Sequence, residues 1–246
     1  MRYQAALLPE PSRAWYYNPR TMKPQVGVIL CGSGRFDGSE IHESVLTLLH
    51  LARAGVEIHC FAPDLPQAAV CEHFEGHPVE GAAPRNMLEE AARIARGEVE
   101  DLKKADAAAL DAVILPGGNG AAANLCTFAS EGSAGSVNPD LQALLTAMAD
   151  AKKPIGAICI APAILGMALR ERGLTLTLGD GSCQPAADEA QKTGNTYTHC
   201  PVEDIVVDEA NRVVTTPAYM LGPDIAAVDQ GIGRLVAQVL AWLPPR

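Results

Sequence analysis

Residues 153–165 read KPIGAICIAPAIL, an apolar run that enters Cys159 and then continues with helical spacing. The first half predicts a buried strand and the second half a helix, so Cys159 lies at an abrupt strand-to-helix junction. Such a junction pushes the sulfur out of the backbone and places it at the positive end of the helix. We therefore expect a thiol with a lowered pKa, a thiolate nucleophile at neutral pH. An inert core cysteine is the alternative, and the local pattern favours neither.

Apolar runs alternate with helix-like segments on both sides of this junction. Strands are predicted at 26–30, 56–61, 112–115, 153–158, 174–178, 205–207 and 212–215, the last two joined as a hairpin. Helices are predicted at 43–54, 87–96, 140–150 and 223–242, and the first places Leu46, Leu49 and residues 52–54 on one side. Alternating strands and helices imply right-handed βαβ units, hence an α/β fold whose mainly parallel sheet is covered on both faces.

Length and charge narrow the class of protein. A chain of 246 residues that is 48% hydrophobic can bury a sizeable core. The net charge of −10 argues against a nucleic-acid partner and against an anionic membrane surface. Residues 1–22 lack the apolar centre of a signal peptide and are expected to be an extension or a disordered segment, before a single domain at 23–246.

The cysteines indicate the compartment. Seven are scattered along the chain without a CxxC pair, which is typical of a reducing compartment, and we expect the cytoplasm. No apolar stretch of about 18 residues suggests a membrane span.

Three loops should converge, because ligands bind at the carboxyl ends of parallel strands. These are residues 31–43, residues 116–118 and Cys159 itself. The glycine-rich first loop lacks both the GxGxxG spacing and a GK[ST] signature, so nucleotide binding is poorly supported.

These motifs resemble the PfpI-type branch of the class I glutamine amidotransferase-like superfamily, which includes glyoxalase III enzymes. The resemblance spans about residues 23–243 and is strongest to the ElbB family, named for enhancement of lycopene biosynthesis. It rests on DGSEIHE at 37–43, CIAP at 159–162 and VVTTPAYM at 213–220. The resemblance implies a flavodoxin-like doubly wound sandwich, a homodimer and an association with isoprenoid biosynthesis.

Carried over to this chain, the resemblance makes Cys159 the nucleophile and Glu43 its acidic partner. Glu40 is the rival carboxylate and is expected to be more exposed. The backbone N–H groups of Gly118 and Ile160 would form an oxyanion pocket. For Glu43 the alternative is a purely structural role as an acid near a helix N-terminus.

Other residues receive weaker assignments. Asn119, Tyr219 and Met220 are possible pocket residues, although core packing explains Tyr219 and Met220 at least as well. Arg85 is a candidate for a lid over the site. His73 and His77 have metal-compatible spacing, but Gly76 and Pro78 disfavour a helix there, so no metal is assigned.

The position after Cys159 is Ile160, whereas many relatives have histidine there. An amidase needs a group to protonate its leaving amine, and aldehyde chemistry does not. The sequence therefore predicts a cofactor-independent conversion of glyoxal, or a similar small 2-oxoaldehyde, to a 2-hydroxy acid. Two alternatives stay open: a cysteine-based redox sensor or chaperone-like protein, and a hydrolase or amidase whose histidine comes from another loop or subunit.

Overall fold

The computed structural model describes residues 23–222 and 224–244. Its strands are β1 (Gln25–Ile29), β2 (Glu57–Ala62), β3 (Val99–Asp101), β4 (Ala112–Leu115), β5 (Ile155–Ile158), β6 (Thr175–Leu176), β7 (Thr196–Tyr197), β8 (Val206–Asp208) and β9 (Val213–Thr216). Its α-helices are α1 (Ile41–Arg53), α2 (Met87–Ala95), α3 (Asn119–Asn124), α4 (Phe128–Glu131), α5 (Pro139–Asp150), α6 (Ala161–Ala168), α7 (Gln184–Gln191) and α8 (Ile225–Ala241). The expectation for residues 1–22 lies outside the described residues.

Seven strands form the main sheet, in the order β3-β2-β1-β4-β5-β9-β8. All neighbours are parallel except β8, which pairs antiparallel with β9 as the predicted hairpin. The central order is that of a flavodoxin-like fold, so the predicted fold class is confirmed. The strand order reverses between β1 and β4, which creates a crevice at their carboxyl ends.

Helices cover both faces of this sheet. The chain winds one way from β1 through α1 to β2, and the other way from β4 through α5 to β5. Because such crossovers are right-handed, the two helices lie on opposite faces. The last helix, α8, packs against α1, and α6 packs against α5. Between these layers the β1, β4 and β5 strands are almost completely buried.

The prediction for one side of α1 does not match its buried side. Leu49 is 38% exposed, whereas Glu43, Ser44 and Thr47 are buried. The hydroxyls of Ser44 and Thr47 donate to the carbonyl oxygens of Glu40 and Glu43, each at 2.7 Å, so these small polar residues are satisfied within the helix. Polar residues therefore take the inner side, and hydrophobic periodicity misidentifies it.

The segment after α6 also differs from the prediction. Only Thr175–Leu176 of the predicted strand at 174–178 is extended, and it pairs with β7 in a separate two-stranded sheet. In the main sheet, β9 occupies the position beside β5. Among the described residues, no helix is both long enough and apolar enough to cross a membrane.

Candidate active site

Cys159 lies between the end of β5 and the start of α6, in a backbone conformation that is rare for residues with side chains. Its φ is +61°, in the left-handed region, which costs an L-residue about 1–3 kcal/mol. The turn is held by the Cys159 N–H, which donates to the Thr216 carbonyl at 2.9 Å. The predicted abrupt junction is thus present, and it leaves the cysteine 7% exposed at a cavity.

Glu43 meets this cysteine from the first turn of α1. Its side chain is completely buried and hydrogen-bonds the Cys159 thiol. One carboxyl oxygen, Oε2, accepts the Gly117 N–H at 2.9 Å, and the other, Oε1, accepts the Tyr219 N–H at 3.4 Å. Backbone donors from two separate loops therefore fix the carboxyl against the sulfur.

Glu40, the rival carboxylate, has a different position. It is the N-cap of α1, where its Oε2 accepts the Glu43 N–H at 2.7 Å. Its side chain is half-buried and lines the cavity, as expected for the more exposed member of the pair. A capping side chain satisfies a free helix N–H, and here it also holds the turn that carries Glu43.

The electrostatics of the pair overturn one expectation. Burial, reinforced by the nearby Glu40 charge, raises the pKa of Glu43 to about 8. Burial, followed by the charge and hydrogen bond of Glu43, raises the pKa of Cys159 well above its usual range. The prediction of a thiolate at neutral pH is therefore wrong, because desolvation outweighs the positive end of the short helix α6. Both shifts favour the protonated forms, and the two groups titrate as a coupled pair.

Two backbone N–H groups point at the sulfur. Those of Gly118 and Ile160 hydrogen-bond Cys159 and counteract part of its raised pKa. Gly118 has a φ of +109°, which favours glycine. Beside it, a Cβ on Gly117 would lie 2.6 Å from the Cys159 Cβ and 3.0 Å from the Glu43 Oε2. The segment after β4 can therefore lie this close to Cys159 and Glu43 because residue 117 is a glycine.

The cavity outside the sulfur has a volume of about 630 Å³. The predicted residues on its wall are Glu40, Gly118, Asn119, Cys159, Tyr219 and Met220, and the others are Arg35, Phe36, His42 and Gly222. The Arg35 guanidinium lies 4.2 Å from the centre of the Phe36 ring. The site therefore combines a buried thiol–carboxyl pair with an open, partly charged mouth.

Metal binding and the proposed lid find no support in the geometry. Within the described part of the chain, no three His, Cys, Asp or Glu side chains are grouped to hold a metal ion. His73 lies 3.6 Å from Asp37, and His77 lies 3.5 Å from Glu75. Arg85 is absent from the described cavity wall.

A family model for the DJ-1/PfpI family matches residues 34–224. The chain belongs to this family. The match contains residues 34–43 of the first convergent loop, the other two loops and the turn that carries Tyr219.

Similar proteins are known from animals and bacteria. The human "Glutamine amidotransferase-like class 1 domain-containing protein 3, mitochondrial" is 44% identical over 88% of this chain and 82% of its own length. The rat "ES1 protein homolog, mitochondrial" is 42% identical over 89% of this chain and 84% of its own. A crystal structure of an isoprenoid biosynthesis protein with amidotransferase-like domain from Ehrlichia chaffeensis is 33% identical, with a TM-score of 0.81, over 89% of this chain and 98% of that one.

Sequence reasoning missed several wall residues of this DJ-1/PfpI site. The most consequential is His42, which helical geometry places on a different side of α1 from Glu43. His42 nevertheless lines the cavity with Cys159. The sequence did contain one signal for His42, namely its position within residues 31–43, a segment that was expected to border the site.

Proposed function

We propose that this DJ-1/PfpI protein converts glyoxal, or a similar small 2-oxoaldehyde, into the 2-hydroxy acid, using Cys159 as nucleophile and Glu43 as proton shuttle. One observation carries the proposal: a completely buried carboxyl, that of Glu43, hydrogen-bonds the Cys159 thiol, and this thiol lines an open cavity. A carboxyl group with a pKa near 8 exchanges protons readily at physiological pH, as a proton shuttle must.

The first step is addition of the thiol to one aldehyde carbon. The carboxylate form of Glu43 takes the Cys159 proton as sulfur bonds to carbon, and the aldehyde oxygen then receives a proton to give a hemithioacetal. The N–H groups of Gly118 and Ile160, which already point at the sulfur, are the candidate donors to the negative oxygen that forms beside it.

The second step moves hydrogen between neighbouring carbons. Glu43 removes the C–H proton of the hemithioacetal, which gives an enediol, and returns a proton to the adjacent carbon. The product is a 2-hydroxyacyl thioester on Cys159, an isomer of the hemithioacetal, so no external oxidant is consumed. Water then hydrolyses the thioester and releases the 2-hydroxy acid and the free thiol.

A reaction in heavy water tests the role of Glu43. If glyoxal is turned over in D₂O, a proton that passes through an exchangeable carboxyl introduces deuterium at the methylene carbon of glycolate. A direct hydride shift between the carbons introduces none. Deuterium-free glycolate would rule out the enediol route while leaving Cys159 as nucleophile.

Narrower assignments belong to the same proposal. The glyoxalase III and ElbB resemblance of the sequence supports the aldehyde chemistry, and the Ehrlichia protein's name supports an isoprenoid connection. The compartment is proposed to be reducing, because all seven cysteines are free. The rat and human relatives carry mitochondrial names, so fractionation of cells must decide between mitochondria and the cytoplasm expected from the sequence.

A further inference from the structure

His42 and Tyr219 form a hydrogen-bonded pair on the wall of the cavity that contains Cys159. The His42 Nδ1 lies 2.8 Å from the Tyr219 hydroxyl, and the ring centroids are 5.8 Å apart. The two residues come from α1 and from the turn after β9, so their contact joins two of the loops that build the site. None of the steps assigned to Glu43 uses this pair.

One step of the proposed reaction still needs a base. Hydrolysis of the thioester requires a group that removes a proton from the attacking water. Glu43 is poorly placed for this step, because it is not part of the described cavity wall and the attacking water comes from the cavity. Ile160, beside the nucleophile, has no group that transfers protons. His42 is exposed and borders the cavity, so water reaches its ring.

We propose that His42 is the base that activates this water, and that Tyr219 is a positioning residue that fixes the imidazole. The inference rests on the proposed function. When Nδ1–H donates to the Tyr219 oxygen, Nε2 keeps its lone pair for the water. Nε2 takes one proton, the hydroxide oxygen bonds to the thioester carbon, and the carbon–sulfur bond breaks. The sulfur leaves as thiolate and recovers a proton from the imidazolium, so the enzyme returns to its starting state.

Titratable groups surround the pair. Besides Tyr219, Arg35, Glu40 and Cys159 line the cavity, and the charges of Glu43 and Asp224 also act on Tyr219. Glu40 is the half-buried N-cap of α1, two residues before His42. Arg35 has its guanidinium 4.2 Å from the centre of the Phe36 ring.

Deacylation of a preformed acyl-enzyme tests the base without glyoxal. The full-length protein is treated briefly with p-nitrophenyl acetate, excess ester is removed, and the lifetime of acetyl-Cys159 is followed by intact-protein mass spectrometry. His42→Ala is expected to lengthen this lifetime about 100-fold, the usual contribution of a positioned base. Added imidazole should restore much of the rate. Tyr219→Phe should slow it less and change its pH profile.

The matched control is His50→Gln, on the same helix, whose ring bonds Asp229 at 2.8 Å and is not part of the described cavity wall. Its acetyl lifetime should equal that of the wild type. A His42→Ala lifetime equal to wild type, or a longer one that imidazole does not shorten, would overturn the role of His42 while leaving the glyoxalase proposal standing. Failure of the ester to label Cys159 in the wild type would contradict the nucleophile itself, and both proposals with it.

Discussion

The Glu43 carboxyl hydrogen-bonds the Cys159 thiol while its own two oxygens accept backbone N–H groups of Gly117 and Tyr219. The carboxyl therefore has the thiol as its side-chain partner and fixed backbone donors around it. Burial raises the pKa of both members. The pair therefore holds its protons more tightly than usual and releases them as the pH rises, and it is not a preformed thiolate.

Reactivity of Cys159 should therefore depend on pH through Glu43. Alkylation by iodoacetamide is expected to accelerate as the pH rises through about 8, because the Glu43 carboxylate then accepts the thiol proton. Glu43→Gln removes that base, so alkylation of Cys159 should remain slow until a far higher pH. The rate is measured by peptide mass spectrometry. A wild-type rate that is already maximal at pH 6 would instead favour the thiolate expected from the sequence.

The free energy of unfolding should fall as the pH rises, whereas the alkylation rate of Cys159 increases. The folded pKa of Glu43 is about 8, above its ordinary value of 4.5, so the folded protein holds this proton more tightly than the unfolded chain. The resulting stabilisation is complete below pH 4.5 and is lost as the pH rises through about 8, at a slope of at most about 1.4 kcal/mol per pH unit.

Urea unfolding at several pH values measures this slope. Glu43→Gln, which is neutral throughout, should flatten the decline between pH 5 and 8 relative to wild type. Equal slopes for the two proteins would show that the folded Glu43 titrates like an exposed carboxyl.

Gly117 should tolerate no side chain. In Gly117→Ala the new Cβ would lie 2.6 Å from the Cys159 Cβ and 2.8 Å from the Ile158 oxygen, so the cysteine must move. We expect a destabilisation of about 1–3 kcal/mol together with loss of Cys159 alkylation. Gly55→Ala is the control: its φ is +74°, but no atom lies within 4 Å of the new Cβ. Gly55→Ala should destabilise the protein through backbone strain alone. Alkylation of Cys159 in this variant should be normal.

Much of the fold was predictable because its strands are short, apolar and buried. The run at 112–115 matches β4 residue for residue, and Asn138 caps α5 at the predicted helix start. The junction at Cys159 was equally visible, since an apolar strand meets an apolar helix without a linker. Local periodicity and capping signals determine these features, and both are present in the sequence.

What the sequence could not provide depends on long-range packing. The raised pKa of Cys159 comes from burial beneath three loops, and no local pattern measures that burial. Similarly, α1 presents Ser44 and Thr47 to the interior because its first turn must bring Glu43 to Cys159. His42 was overlooked for the same reason: its partner, Tyr219, lies 177 residues away in sequence.

The most direct test of the account is glycolate formed from glyoxal by the wild type, Cys159→Ala and Cys60→Ala. Cys60 is the matched control, since it is also 7% exposed but belongs to β2 and is not on the described cavity wall. We predict turnover by the wild type, turnover close to it by Cys60→Ala, and none above background by Cys159→Ala. Glycolate formation by Cys159→Ala at the wild-type rate would contradict the central claim that the Cys159 thiol forms the covalent intermediate.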